Sequence, residues 1–128
     1  MKQYDYPRNR LRFSVVIPVF NEEENLELLH TRLTKVMRDL GENYEVIFVD
    51  DGSTDGSFQV LKRLRQEDNN VKVIRFTKNF GQHPAVTAGF DFAQGEVVIT
   101  LDADLQNPPE EIPKGAVPGH GIHSRGLT

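Results

Sequence analysis

The sequence predicts an α/β fold in which a parallel sheet carries helices on both of its faces. Two observations predict this fold. Short apolar runs rich in Val and Ile alternate along the chain with stretches whose apolar residues recur at helical spacing. The resulting order β-α-β-α-β-α-β is typical of parallel strands joined by right-handed helical crossovers. Since the chain has 128 residues, a single domain of ordinary size accounts for it.

Four strands and three helices are expected, with local signals at several of their ends. The strands are expected at residues 13–19, 44–50, 71–76 and 96–101. Asn21 is a residue type that caps helices, and the glutamates at the next three positions suit the first turn of a helix. That helix is expected to end at Gly41. The second should run to about Glu67, and the third from Pro84 to Gln94.

The composition excludes several classes of protein. The chain has no cysteine, which excludes disulfides, thiolate metal sites and cysteine nucleophiles. A net charge of −4 with scattered basic residues argues against nucleic acid as a partner. No apolar run approaches about 18 residues, so no membrane span is expected within this chain. The glycine patterns of P-loops and dinucleotide-binding turns are absent.

The chain divides into three segments. Residues 1–12 form a polar N-terminal extension, residues 13–114 the predicted domain, and residues 115–128 a tail. The tail has four glycines in fourteen residues and no periodicity, so it is expected to be irregular. Because the helical pattern that begins near Pro108 is not continued, we interpret the tail as the product of a truncation or a frame shift.

Polar residues follow all four predicted strands. In open parallel sheets, ligands bind beyond the carboxyl ends of the strands. The candidates for binding a nucleotide are Pro18, Phe20, Glu22, Asp50, Asp51, Lys78 and Asp102, and those for binding a metal are Asp102, Asp104 and Gln106. Their convergence predicts a binding site at that edge of the sheet.

The metal candidates offer only hard oxygen ligands. Asp102, Asp104 and Gln106 occupy alternate positions of an extended segment, so their side chains share one side of it. Such ligands suit Mg²⁺ or Mn²⁺, which proteins commonly bind through one or two carboxylates completed by substrate phosphates. A D-x-D motif alone also occurs in solvated acidic turns. Its place at the end of the fourth strand is what favours a metal site.

Each of the other candidates has a structural alternative. Asp50 and Asp51 can accept the imide N–H of a uracil or can bond their own backbone in an Asx turn, and both can hold at once. Phe20 suits stacking on a base or simple burial, and Glu22 suits a ribose contact or the first turn of a helix. Lys78 suits a phosphate contact or a solvated surface position.

Three segments, VVIPVFNEEENL, VIFVDDGSTDGS and NFGQHPAVTAGFDFAQGEVVITLDADLQNPPEEIP, together resemble the family 2 glycosyltransferases. These enzymes have the GT-A fold, a Rossmann-like sheet for nucleotide diphospho-sugars. Within the family the chain is most similar to the polyprenyl-phosphate sugar transferases, such as dolichyl-phosphate mannose synthase. The closest branch transfers 4-deoxy-4-formamido-L-arabinose to undecaprenyl phosphate for lipid A modification in the bacterial cell envelope. The resemblance covers about residues 13–114, the N-terminal portion of such proteins.

The resemblance implies roles for the residues near the nucleotide. Pro18, Phe20 and Glu22 match the segment that contacts the nucleotide, and Phe20 stands where many members have tyrosine. Asp50 and Asp51 match the acids that bind uracil and ribose. A UDP-sugar is therefore favoured as the donor, with a GDP-sugar left open.

The resemblance also implies a cofactor and a reaction. Asp102, Asp104 and Gln106 match the metal and diphosphate site, so Mg²⁺ or Mn²⁺ is the implied cofactor. The implied reaction transfers a sugar, with inversion, to a polyprenyl phosphate. No catalytic residue is identifiable in the chain. The implied location is cytoplasmic, with full-length relatives at the cytoplasmic face of the inner membrane, and a homo-oligomer is possible.

Three functions compete on the sequence alone. The first is the donor-binding half of a glycosyltransferase, a chain that alone is expected to be inactive. The second is a non-catalytic nucleotide-sugar-binding fragment that lacks the acceptor half. The third is a receiver-type signalling domain, which is also doubly wound. A receiver needs an acid pair after the first strand, where this chain has Pro-Val-Phe-Asn.

Overall fold

A parallel sheet forms the centre of the molecule, which we describe from a computed structural model. The structure describes residues 10–114 and 121–124. The strands are β1 Phe13–Val19, β2 Tyr44–Asp50, β3 Val71–Arg75, β4 Val97–Thr100 and β5 Gly121–Ser124. They lie in the spatial order β3-β2-β1-β4-β5. The first four run parallel, and β5 pairs antiparallel with β4.

Helices cover both faces of this sheet. They are α1 Leu26–Leu40, α2 Ser57–Glu67 and α3 Gln82–Phe92, followed by a 3-10 helix at Pro109–Lys114. The helices α1 and α2 pack on one face through a core that contains Leu29, Leu33 and Leu61. On the other face, Ala85 of α3 packs with Val16 and Val98. No helix in the described ranges has the length and apolarity that crossing a bilayer requires. The predicted α/β fold, a Rossmann-like parallel sheet with helices on both faces, is confirmed.

The central strands have the predicted bounds. Both β1 and β2 are buried on both faces, and such strands are recognisable as continuous apolar runs. The elements nearer the sheet edge differ by one to two residues at their ends: β3 ends at Arg75, β4 spans Val97–Thr100, and α3 spans Gln82–Phe92. The ends of helices and strands depend on local hydrogen bonds, which cannot be predicted from the spacing of apolar residues.

The first helix begins later than the sequence predicts. It starts at Leu26, and Asn21, which was expected to cap it, adopts a left-handed backbone with φ 55°. The Asn21 Oδ1 accepts hydrogen bonds from the backbone N–H groups of Thr54 at 2.7 Å and Asp55 at 3.2 Å. The Asn21 side chain therefore joins two loops that are distant in sequence, and the prediction of a helix cap was wrong.

The tail contributes a strand that the sequence does not predict. Residues 121–124 form β5, whose backbone pairs with Val97 to Thr100 of β4. Strand β4 would otherwise present unpaired backbone groups on one side, and pairing satisfies them without requiring any side-chain pattern. The prediction of irregular structure was therefore wrong for these four residues. The rest of the tail, residues 115–120 and 125–128, and residues 1–9 of the extension lie outside the described residues.

A buried acid joins the strands at the edge where they begin. The Glu45 side chain is almost fully buried. Its Oε2 accepts hydrogen bonds from Ser14 Oγ at 2.6 Å and the backbone N–H of Gln94 at 2.7 Å. Its Oε1 accepts one from Lys72 Nζ at 2.7 Å. Burial by itself raises the pKa of Glu45, but these hydrogen bonds outweigh burial and leave the pKa below its usual value.

Two loops pack closely at the opposite edge, where the strands end. Gly52 follows β2 with φ 73°. A Cβ at Gly52 would lie 2.3 Å from the carbonyl carbon of Lys78 and 2.4 Å from the backbone nitrogen of Asn79. The loop after β2 therefore lies directly against the loop after β3, which only glycine allows at this backbone conformation.

We predict that Glu45→Gln removes an acid-sensitive part of the stability. Because the folded pKa of Glu45 lies below its unfolded value, the carboxylate stabilises the fold above a pH near 4.5. That contribution is lost as the pH falls through the folded pKa. At neutral pH the variant should be less stable by about 1–3 kcal/mol, because Lys72 loses a charged partner. Chemical unfolding of both proteins from about pH 7 to about pH 3 should show the difference shrinking, and a constant difference would contradict this account.

We predict that Gly52→Ala destabilises the fold more than Gly41→Ala does. Gly41 ends α1 at φ 75°, where a Cβ would meet no atom within 4 Å. Gly41→Ala serves as the control, because it introduces only backbone strain of about 1–2 kcal/mol. Gly52→Ala adds overlap with the loop after β3, worth about 1–3 kcal/mol more. Urea unfolding measures both losses, and equal losses would show that the two loops separate easily.

Candidate functional site

A pocket opens at the carboxyl ends of β1 and β4. The chain moves from β1 to β2 and β3 and then crosses to the other side of β1, so β1 and β4 flank the topological switch point. The pocket has a volume of about 300 Å³. It is lined by Pro18, Val19, Phe20, Glu22, Asp51, Asn79, Gly81, Gln82, Asp102, Ala103 and Asp104. Loops after all four parallel strands contribute to it.

The structure brings six of the nine candidate residues together. Those that line the pocket are Pro18, Phe20, Glu22, Asp51, Asp102 and Asp104. Those that do not are Asp50, Lys78 and Gln106. The candidate set lacked Val19, Asn79, Gly81, Gln82 and Ala103. The signal that could have found Asn79, Gly81 and Gln82 is their position after the third strand, at the edge where ligands bind.

Asp50 lies beneath the pocket surface. It is fully buried, and its Oδ1 accepts the backbone N–H of Ser53 at 3.0 Å. Its Oδ2 has no hydrogen-bond partner among the described residues. A carboxylate without exposed surface cannot touch a ligand while the loop keeps this conformation. The geometry therefore favours a turn-forming role, and a direct nucleotide contact by Asp50 stays a prediction.

The Asp51 carboxylate holds the loop that follows β3. Its Oδ1 accepts the backbone N–H of Phe80 at 2.7 Å. Its Oδ2 accepts the backbone N–H of Gly81 at 3.0 Å and the Asn79 side-chain amide at 2.9 Å. A carboxylate offers about four acceptor positions. Three are used here, which leaves one, and Asp51 lines the pocket although it is only 3% exposed.

Lys78 lies outside the pocket wall. Its side chain is exposed, and its Nζ is 5.2 Å from the centroid of the Phe80 ring. This cation–π geometry accounts for its position at the surface. A phosphate contact by Lys78 stays a prediction.

Phe20 and Glu22 form the wall beyond β1. The Phe20 ring is 45% exposed, so a ligand base has access to its face. Glu22 is half-buried, and its Oε1 accepts a hydrogen bond from Asn25 Nδ2 at 2.8 Å. Its backbone N–H donates to Ser57 Oγ at 2.9 Å, which fixes the segment against α2. Glu22 lies before the first turn of α1, so the helix-turn alternative for it is wrong.

The aspartates of the D-x-D motif follow β4 and face the same pocket. The Asp102 Oδ1 accepts a hydrogen bond from Gln82 Nε2 at 3.3 Å, and the Asp104 Oδ1 accepts the backbone N–H of Gln106 at 3.1 Å. Leu105 has φ 66°, a left-handed backbone that costs about 1–2 kcal/mol, while its side chain packs against the core. This bend folds the chain back on Asp104. The Gln106 side chain is exposed and does not line the pocket, so metal ligation by it stays a prediction.

The oxygen donors of the pocket fit Mg²⁺ or Mn²⁺. Asp102 and Asp104 both line it, and the hydrogen bonds above involve only one oxygen of each. No group of three His, Cys, Asp or Glu side chains in residues 10–114 and 121–124 is arranged to hold a metal ion by itself. Cations of this type are commonly bound by one or two carboxylates together with substrate phosphates. The pocket therefore fits a cation that arrives with a phosphate-bearing ligand.

Comparison with known proteins gives the same fold and a family. The chain matches the family model described as Glycosyl transferase family 2 over residues 14–116. It is 55% identical over 104 residues to the undecaprenyl-phosphate 4-deoxy-4-formamido-L-arabinose transferase of Proteus mirabilis (strain HI4320), covering 80% of this chain and 32% of that protein. It is 54% identical over 102 residues to the protein of the same name from Pseudomonas fluorescens (strain SBW25), covering 79% and 30%. The chain thus spans about a third of the length of the curated relatives it matches.

Solved structures with bound nucleotide sugars share the fold. The crystal structure of S. aureus TarS 1-349 in complex with UDP-GlcNAc matches with a TM-score of 0.65 and 33% identity, over 73% of this chain and 27% of that one. The mannosyltransferase PcManGT from Pyrobaculum calidifontis in complex with GDP-Man and Mn²⁺ matches with a TM-score of 0.67 and 26% identity, over 86% and 33%.

These comparisons confirm the predicted fold and remove one of the three functions that the sequence left open. The structural neighbours are GT-A glycosyltransferases, so the predicted GT-A fold is confirmed. The resemblance to the undecaprenyl-phosphate sugar transferases is confirmed by the relatives with 54–55% identity. A receiver-type signalling domain is excluded, because the family model covers most of the chain. The chain belongs to glycosyl transferase family 2.

Proposed function

We propose that this chain is the donor-binding part of a metal-dependent glycosyltransferase. It binds a nucleoside diphosphate sugar, with a UDP-sugar favoured over a GDP-sugar, in the pocket between β1 and β4. The observation that carries the proposal is the convergence of Asp51, Asp102 and Asp104 on one pocket. That pocket lies at the switch point where doubly wound sheets bind nucleotides.

The nucleoside is proposed to lie between the ends of β1 and β2. The exposed Phe20 ring offers an apolar face on which a base can stack. The remaining acceptor position of Asp51 suits the imide N–H of uracil. Glu22, which has one oxygen engaged by Asn25, is left with a second oxygen for a ribose hydroxyl.

The diphosphate is proposed to lie beside Asp102 and Asp104. Two like charges about 4 Å apart repel by roughly 4 kcal/mol at an effective dielectric near 20, so these acids disfavour a bare diphosphate. A bound Mg²⁺ or Mn²⁺ offsets that repulsion and stabilises the charge that develops on the departing nucleoside diphosphate. In this proposal Asp102 and Asp104 hold the cation. Because the diphosphate binds beside these acids, the affinity for the donor depends on the cation.

The proposed acceptor is a polyprenyl phosphate, in line with the undecaprenyl-phosphate named for the relatives. A phosphate oxygen of the acceptor forms a bond to the anomeric carbon while the bond to the nucleoside diphosphate breaks on the opposite face. The departing diphosphate keeps the electron pair, and the configuration at the anomeric carbon is inverted. A phosphate monoester has a second pKa of about 6 and is mostly dianionic at neutral pH, so it needs little help from a base.

The cellular setting is part of the same proposal. A polyprenyl phosphate lies in a membrane, so we place the reaction at the cytoplasmic face of the inner membrane, in lipid A modification. A second candidate function is binding of the nucleotide sugar without transfer. The pocket favours this candidate, because the roles proposed for its residues are all contacts with the donor and none is a contact with an acceptor.

We predict that UDP binds this chain only when Mn²⁺ or Mg²⁺ is present. Isothermal titration with UDP and with GDP, each with and without Mn²⁺, measures this dependence and the base preference. Asp102→Asn and Asp104→Asn should each weaken metal-dependent binding by at least about tenfold, which corresponds to about 1.4 kcal/mol. The loss is expected because a neutral amide replaces a charged oxygen ligand.

The matched control is Asp91→Asn, which makes the same change at an exposed position of α3 outside the pocket. It should leave binding unchanged. Failure of both nucleotides to bind in the presence of Mn²⁺ would contradict the proposal, as would binding that ignores the metal and both variants. With binding established, a turnover assay with a polyprenyl phosphate separates the enzyme from the binding module.

A further inference from the structure

The hydrogen bond between Gln82 and Asp102 links two walls of the pocket that are formed by different loops. Gln82 is the first residue of α3, and Asp102 follows β4. The Gln82 Nε2 donates to the Asp102 Oδ1 at 3.3 Å. We infer that Gln82 is a positioning residue, which orients the Asp102 carboxylate for the divalent cation. This inference rests on the proposed function of the pocket and gives a role to a residue outside the candidate set.

Gln82 is held in place by contacts on both sides of it. On its N-terminal side, Asp51 accepts the backbone N–H groups of Phe80 and Gly81 and thereby fixes the chain just before α3. Gly81 has φ 107°, which turns the chain into the helix at this point. The position of the Gln82 backbone is therefore set by a buried carboxylate rather than by the exposed loop itself.

The body of α3 is seated firmly on the sheet. A Cβ at Gly89 would lie 2.4 Å from Val16 Cγ1, so the helix lies very close to β1. Ala85, one turn after the start of α3, is fully buried against the same face. Because the helix cannot shift without disturbing this contact, the backbone of its first residue has a defined position beside the pocket, and the exposed Gln82 side chain reaches Asp102 from there.

Asp102 needs an external partner to fix its orientation. It is only half-buried, so packing alone does not determine the plane of its carboxylate. A donor on Oδ1 fixes that plane and with it the direction of the second oxygen. Partners that orient metal-ligating carboxylates typically change metal affinity by about 10–100-fold when they are removed. The hydrogen bond to Asp102 assigns Gln82 a role in metal affinity, and the test below separates this role from a direct contact with the nucleotide, since Gln82 also lines the pocket.

The test uses Gln82→Met, which keeps the length of the side chain and removes the donor. Gln94→Met is the matched control, because Gln94 is exposed just beyond the other end of α3 and lies outside the pocket. The apparent affinity for Mn²⁺ at a fixed UDP concentration is measured by the Mn²⁺ electron paramagnetic resonance signal. The affinity for UDP is then measured by calorimetry at saturating Mn²⁺, and thermal unfolding reports stability.

We expect Gln82→Met to weaken Mn²⁺ binding by about tenfold. Its affinity for UDP at saturating Mn²⁺ and its midpoint of unfolding should match those of the control. Unchanged or tighter Mn²⁺ binding would overturn the inference, and so would a loss confined to UDP affinity at saturating Mn²⁺, which would indicate direct contact with the nucleotide. If the unaltered chain fails to bind UDP with Mn²⁺, the proposed function fails instead, so the two failures are distinguishable.

Discussion

The Asp51 carboxylate is the contact on which the rest of the pocket depends. It accepts two backbone N–H groups and one side-chain amide from the loop after β3. These bonds determine where α3 begins and so where Gln82 lies. The adjacent strands β1 and β4 present Phe20 and Asp102 to the same space. One buried acid therefore holds the loops after β2 and β3 together beside the pocket.

The acids of this protein differ in how completely their oxygens are satisfied, and this difference separates structural from ligand-binding roles. Glu45 is buried and accepts three hydrogen bonds, which keep its pKa low. Its role is to hold the strands together. Asp51 receives three donors and keeps one acceptor position. Asp102 and Asp104 are more exposed and are only partly engaged. Their remaining oxygens are therefore the ones that the proposal assigns to a cation.

Much of the architecture could be predicted from the sequence because it depends on side-chain burial. The runs that form β1 and β2 are buried on both faces, so their composition alone marks them. The placement of Asp102 and Asp104 at one edge follows from strand order and spacing. The parallel order of four strands is enough to predict that polar residues from all their ends converge.

The rest depends on contacts between segments far apart in sequence, which local patterns do not report. Asn21 looks like a helix cap, yet its side chain bonds to residues more than thirty positions away. Asp50 and Asp51 are indistinguishable in the sequence, but one is fully buried and the other lines the pocket. The position of Gln82 after the third strand hints at the site, but its bond to Asp102 joins residues twenty positions apart. Strand β5 arises from backbone pairing, for which its side chains give no signal.

The most direct test of the central claim is a crystal structure of this chain with UDP and Mn²⁺, analysed by anomalous scattering at the manganese edge. The account predicts one manganese peak between the carboxylates of Asp102 and Asp104 and the diphosphate of UDP. A manganese peak elsewhere on the protein would contradict it. So would UDP bound between β1 and β4 with no metal beside these two acids.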